Sequence, residues 1–342
     1  IWLRYVEDPT INLASLLGTS VKAYVSVNGS DTKESTSCTF DSSKKISYVV
    51  TFMNTDNKTV LETRKVSSGS ALGNLPSTRQ YFTKTGGNGT EYTSTSTITD
   101  DALVYPKLTK FELDSWTTIA TNVRNGNTGD YNVGDTKEVN LGTTYGTHTL
   151  RIANTTTPSE CSTSGFSQTA CGFVLEFADI ITTYEMNDTD TNVGGWPASS
   201  MYDFVNYDIY NSLPSDLKST IIDTTVVSSH GSTNGENFTS IDKLYLLSLK
   251  EVYSDWSTNS YSSYDSAKDL TRTLDYYINK NVTSSDDSET IKKYKTTDSW
   301  WWLREAHSNY DHSFFIVPTD DYSYFSTYAN TSGGVSPAFR IG

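Results

Sequence analysis

The chain has 342 residues and a formal charge of −14, with 35% hydrophobic and 13% aromatic residues, including 23 Tyr and 7 Trp. That length gives room for two or three domains with a real core, and the aromatic content argues against disorder. The charge argues against a nucleic-acid partner, which needs a basic stripe to displace counterions, and disfavours an anionic membrane surface.

Residues 1–45 begin at Ile1 rather than Met, so a processed or trimmed end is expected. Ile11–Leu17 reads equally as a strand or a short helix. Val21–Val27 alternates with period two, which predicts a half-buried strand ending at the Asn28-Gly29 turn. Residues 46–110 form a second section. Ile46–Phe52 and Val60–Val66 are expected as a hairpin about the turn Asn54–Asn57, followed by Gly69, Gly73 and Pro76.

From residue 111 onward strands are expected at Thr117–Val123, Lys137–Leu141, Thr149–Ala153, Gly172–Phe177 and Lys243–Leu249. A helix is predicted where Met201, Phe204, Val205 and Ile209 share a face, capped by Ser and ending at Leu213-Pro214. A second, with Ser215 as cap, holds Leu217 and Ile221, and a third carries Leu270, Leu274, Tyr277 and Ile278 on one side. Many strands with a few helices imply an α+β fold.

No apolar run reaches about 18 residues, so membrane insertion is not expected. The three cysteines are Cys38, Cys161 and Cys171. The last two flank a Ser/Thr/Gly loop that a disulfide would close in an oxidising compartment, while Cys38 has no partner. The four histidines, His148, His230, His307 and His312, stand in no recognisable hydrolase motif, and no nucleophile is set beside a base, so no catalytic residue is assigned and the chain is read as a non-enzyme. Asp188–Asn192 and Asp286–Glu289 are acidic loops with oxygen ligands suited to calcium, but without EF-hand spacing. They are read as solvated loops, with no cofactor required.

The run Trp300-Trp301-Trp302-Leu303-Arg304 reads as core strand, with Arg304 and Arg340 tying strands to a buried carboxylate such as Glu176 or Glu251. Between this run and the closing Gly333–Ile341 lies a stretch of Tyr, Ser, Asn, Asp and His. Tyr offers large, stiff contact area with one polar tip, and Asn and Ser adapt their hydrogen bonds. The expected ligand-binding residues are Asn309, Tyr310, Asp311, His312, Tyr322, Tyr324, Tyr328 and Asn330, with the three evenly spaced tyrosines on one strand face.

An ordered series of signposts resembles the domain of unknown function 6273 family over about residues 112–342. It includes Trp116, Tyr131–Asp135, Met186-Asn187, Asn192–Trp196, Ser199–Met201, Asp242–Ser248, Trp301–Arg304 and Gly334–Ile341. Tyr202 departs from it, since the family often has Arg after that Met. The Trp-Leu-Arg and closing strands are similar to those of the C-type lectin-like fold of phage tropism proteins. Residues 46–105 loosely resemble the β-grasp-like repeats of bacterial surface proteins, which act as spacers. These resemblances imply an N-terminal strand segment (1–45), a spacer (46–110) and a lectin-like domain (111–342). They further imply an extracellular protein of a bacterial or virion surface that adheres to a cell-surface glycan or protein. The alternative is a structural subunit of a phage virion or surface filament, self-assembling or docking through its N-terminal strands.

Overall fold

The computed structural model describes residues 47–285, 289–319 and 325–342 in full. It also gives the backbone of β1 (Ser20–Val21), β2 (Tyr24–Val27), β3 (Ser30–Glu34) and β4 (Cys38–Thr39). β2 pairs with β3 and β1 with β4, both antiparallel. The Ile11–Leu17 segment and the Asn28-Gly29 turn lie outside the described residues. The chain divides into two compact units, Ile1–Leu108 and Thr109–Gly342.

In the first unit β5 (Ser47–Met53) and β6 (Val60–Ser67) form a hairpin. Its turn holds Asn57 at φ +54, a left-handed conformation that Asn tolerates. Asp56 Oδ1 accepts the Lys58 and Thr59 amides, both at 2.8 Å, which fixes the bend. With β7 (Tyr81–Lys84), β8 (Asn88–Tyr92) and β9 (Ala102–Pro106) they make a sheet in the order β6-β5-β9-β7-β8. β5 and β9 run parallel, Val50 opposite Ala102 and Phe52 opposite Val104. Val50, Phe52, Val66, Leu72, Tyr81, Ile98 and Val104 form its core.

The second unit is β-rich with short helices. β10 (Thr136–Asn140), β11 (Thr147–Asn154) and β12 (Val174–Phe177) form one sheet with the last strand, β22 (Ala338–Arg340). β13 (Thr182–Glu185) is an edge of the second sheet. The pairs β14 (Thr224–Ser228) with β15 (Phe238–Asp242), and β16 (Lys292–Tyr294) with β17 (Thr297–Ser299), are small ribbons. β18 (Trp301–Ala306), β19 (Ser313–Val317), β20 (Ser326–Tyr328) and β21 (Ser332–Val335) complete the second sheet, in the order β13-β21-β18-β19-β20.

Every residue of β18 and β19 is buried, so both faces of these strands are covered. They read as unbroken runs, not as alternation. β21 lies parallel to β18 because Gly333 and Gly334 leave room for it: a Cβ would come within 2.1 Å of the Trp300 ring at Gly333 and 2.7 Å of the Trp300 carbonyl at Gly334.

Several expected elements differ. Residues 117–123 belong to a helix, Trp116–Arg124, not a strand. Ser115 Oγ accepts the Thr118 amide at 3.1 Å, and Trp116, Ile119 and Ala120 face inward with helical spacing, which outweighs the β-branched threonines. Lys243–Leu249 is no ladder strand. Tyr245 pairs with Ala338 at a single bridge, and the Ser248–Glu251 capping box then starts a helical turn, Leu249–Val252. The Met201 helix is present with Ser199 as cap, but its middle, Phe204–Ile209, widens into a π-helix whose Asn206 accepts the amides of Lys243 and Leu244. Ser215 is inside its helix, Ser215–Lys218, with Pro214 at the cap position, and Ile221 bridges Ile341 instead of extending it. The third helix is only Asp275–Asn279, so Leu270 falls outside it. Cys161 and Cys171 are joined in a disulfide.

Candidate functional site

β18 and β19 are joined by residues 307–312, and their register shifts between Trp302 and Ala306. The loop is held from below by one side chain, Asn192, which is fully buried. Its Nδ2 donates to the carbonyl oxygens of His307 (3.2 Å), Tyr310 (2.7 Å) and Ser313 (2.9 Å). Its backbone N–H donates to the Asp311 carbonyl at 2.8 Å. Three carbonyls of one short loop and the first of β19 thus converge on one asparagine, which fixes the loop path as secondary structure would elsewhere. Gly231 makes room for this brace, since a Cβ there would stand 2.3 Å from Asn192 Oδ1.

Five rings stack along the loop. Tyr264 lies on His307 (centroids 4.7 Å apart), His307 on Tyr310 (4.6 Å), Tyr310 on His312 (5.5 Å) and His312 on Tyr328 (5.0 Å). The interplanar angles are 23°, 26°, 25° and 23°, so the rings are nearly parallel. Each such contact contributes about 0.5–1.5 kcal/mol beyond area burial. The row is rooted in the core, where His307 also packs on Phe315, and Phe315 meets the edge of Trp256. Backbone bonds from Ser308 to Tyr264 and from Ala329 to His312 tie the segments that carry the rings.

The row runs from inside to outside. His307 is buried, and its Nδ1 accepts the Asn309 amide at 3.2 Å. Burial first, then the neighbouring His312, push its pKa down to about 4, so the ring is neutral at pH 7. At the outer end Tyr310 is 48% and Tyr328 56% exposed. Asp311 is exposed and meets His312 Nδ1 at 2.9 Å, and Asn309 and Asn330 are exposed beside them.

The structure therefore brings Tyr310, His312 and Tyr328 into one row with Asp311 against His312 and His307 behind them, while Asn309 and Asn330 are exposed close by in the chain. Tyr322 and Tyr324 lie outside the described residues, and the described strand here is only Ser326–Tyr328. Sequence reasoning missed Asn192, Gly231 and Tyr264. Asn192 stood inside a recognised signpost, but nothing local shows that its amide reaches residues more than a hundred positions away.

The tryptophan run is structural: Trp301 and Trp302 are fully buried. Arg304 is also buried and grips Glu251 with both terminal nitrogens, Nη1 to Oε2 at 2.7 Å and Nη2 to Oε1 at 2.6 Å. Arg340 does not act in parallel with it. Its Nε is buried without a partner, and Glu176 is instead held by Arg151 and Lys292, each at 2.8 Å, and by the Tyr277 hydroxyl. Glu305 sits beside Arg304 at 3.2 Å, and burial pushes its carboxyl up to about 8. Asp188 and Asp190 are exposed, while Asp286 and Asp287 lie outside the described residues. Among the described residues no group of three or more His, Cys, Asp or Glu side chains could hold a metal ion.

Comparison with curated proteins and with solved structures gives no match. A family match is found, and it begins at residue 173, well inside the stretch that the signposts cover. Residues 173–342, which contain the loop, its asparagine brace and the strands around them, match the family described as domain of unknown function (DUF6273).

Proposed function

We propose that the loop face is a noncovalent attachment site, through which an extracellular protein of a bacterial or virion surface adheres to a glycan or protein on another surface. The observation that carries this reading is the rooted row of rings ending in exposed Tyr310 and Tyr328. A sugar lays its C–H face on such rings, and Asp311, Asn309 and Asn330 offer the polar atoms that orient hydroxyls. Because Asn192 fixes the loop beforehand, little ordering cost falls on binding. The Cys161–Cys171 disulfide is in keeping with an oxidising, exported location. The reading is non-catalytic and needs no cofactor: the exposed rings provide contact area, not a nucleophile with its base.

The test is a glycan array probed with wild type and with a Tyr310→Ser/Tyr328→Ser double variant. At least a tenfold loss of the wild-type signal is expected, and equal signals from the two proteins would overturn the reading.

A second reading, self-assembly of a structural subunit, is favoured by the first unit. Val49 and Leu103 are 40% and 44% exposed on the sheet face opposite Val50, Phe52 and Val104. Edge strand β6 adds exposed Val60 and Leu61. Among the described residues no strand pairs with the outer edge of β6, and an exposed apolar face beside such an edge invites a second copy. Mass measured by light scattering over a range of concentrations tests it, and a monomer at every concentration removes it.

A further inference from the structure

A groove of about 380 Å³ is lined by Val133, Gly134, Thr136, Arg151, Tyr276 and Lys280. Its wall includes the Tyr131–Asp135 turn, one of the sequence signposts with no part in the loop face.

Beneath it, two cations converge on one carboxylate. Arg151 and Lys292 share a single carboxylate, Glu176. Arg151 uses Nε and Nη2 on Glu176 Oε1, at 3.2 and 2.8 Å, and its Nη1 has no hydrogen-bond partner among the described residues. The guanidinium carbon sits 3.7 Å from the Tyr276 ring centroid, so stacking fixes the fork's plane and leaves its edge donor free. On the rim, Lys280 lies 3.3 Å from Glu289 and remains about half exposed. The nearest turn carboxylate, Asp135, is directed back to the Asn132 amide at 2.9 Å.

We propose that this groove is an oxyanion site for a small ring-bearing acid. The carboxylate would meet Arg151 and Lys280, and the ring would pack on Tyr276 and Val133. The chemistry is that of a uronic-acid sugar. The site is separate from the loop face and does not rest on the reading given for it.

The experiment is calorimetric titration of the full chain with sodium glucuronate, sodium sulfate and glucose, with sodium chloride matching ionic strength. Saturable glucuronate binding is expected, at least fivefold tighter than sulfate, with no heat from glucose. Thr136 faces Arg151 across the β10–β11 ladder, so Thr136→Glu places a carboxylate about 5 Å away that competes for Arg151 while Glu176 itself is unchanged. That variant should bind glucuronate at least tenfold more weakly. Arg151→Lys, which keeps the charge and loses the fork, should weaken it to a similar degree. Tyr310→Ser/Tyr328→Ser should bind glucuronate as wild type does. Glucuronate heat no greater than that of chloride, affinity equal to that of sulfate, or wild-type binding by a folded Thr136→Glu variant would each overturn the proposal.

Discussion

Replacing Asn192 by Ala removes the one donor among the described residues that reaches two loop carbonyls. The Ser313 carbonyl keeps a second partner, the His307 amide at 3.0 Å, whereas those of His307 and Tyr310 have no other among the described residues. Leaving a buried acceptor unpaired costs about 1–3 kcal/mol. The Tyr310 carbonyl belongs to an exposed residue and recovers part of that from water, so about 2–4 kcal/mol is expected for the pair. In a domain of this size 1 kcal/mol moves Tm by about 2–4 °C, which gives a fall of about 4–16 °C. Six of the seven tryptophans lie in Thr109–Gly342, so tryptophan fluorescence during heating reports on this unit. Asn192→Asp should lose more than Ala, because it points a carboxylate at the same carbonyls. A Tm within a degree of wild type for both variants, or Asp melting above Ala, would refute the brace.

Gly231→Ala should act through the same brace, costing about 1–3 kcal/mol in urea unfolding as the new methyl displaces the Asn192 amide. Glu251→Leu strands the Arg304 guanidinium in the core and should cost about 3–5 kcal/mol in the same assay, while the Glu251→Leu/Arg304→Met double variant loses less than the single. His307 titrates near 4 when folded and near its ordinary 6.5 when unfolded, so the unfolded chain takes up the proton first. Its contribution is full above about pH 6.5 and is lost as pH falls towards 4, up to about 2 kcal/mol by pH 5; His307→Phe should flatten that slope in urea midpoints measured between pH 7.5 and 5. Glu305 behaves oppositely. Folded it holds its proton up to about 8, against an ordinary 4.5, so its contribution is full below 4.5 and fades as pH rises through 8. Glu305→Gln should therefore be more stable than wild type at pH 9 by more than about 1 kcal/mol.

Short-range patterns in the sequence identified the hairpin at Ser47–Ser67 and its Asn-Asp turn, the Ser199 cap, and the buried Trp-Trp-Leu-Arg strand, because each depends on neighbours a few positions apart. The loop residues from Asn309 to His312 were legible through composition. Their arrangement was not, since the ring row joins Tyr264, the loop and Tyr328, and its brace is Asn192. The helix at Trp116–Arg124 departs from the strand expectation because Thr117, Thr118 and Thr121 favour strands, whereas the cap at Ser115 decides for a helix. Leu244–Leu247 is apolar at every position, a pattern shared by ladder strands and by the buried extended segment actually found.

The parallel contact of β5 with β9 bears on how the first unit responds to force. β5 opens its five-stranded sheet and β9 closes it, so tension along the polypeptide drags the two in opposite directions along their common axis. The rungs from Val50–Ala102 to Phe52–Val104 are then loaded together rather than peeled one by one. A sheet loaded this way yields late and abruptly, not by gradual unzipping.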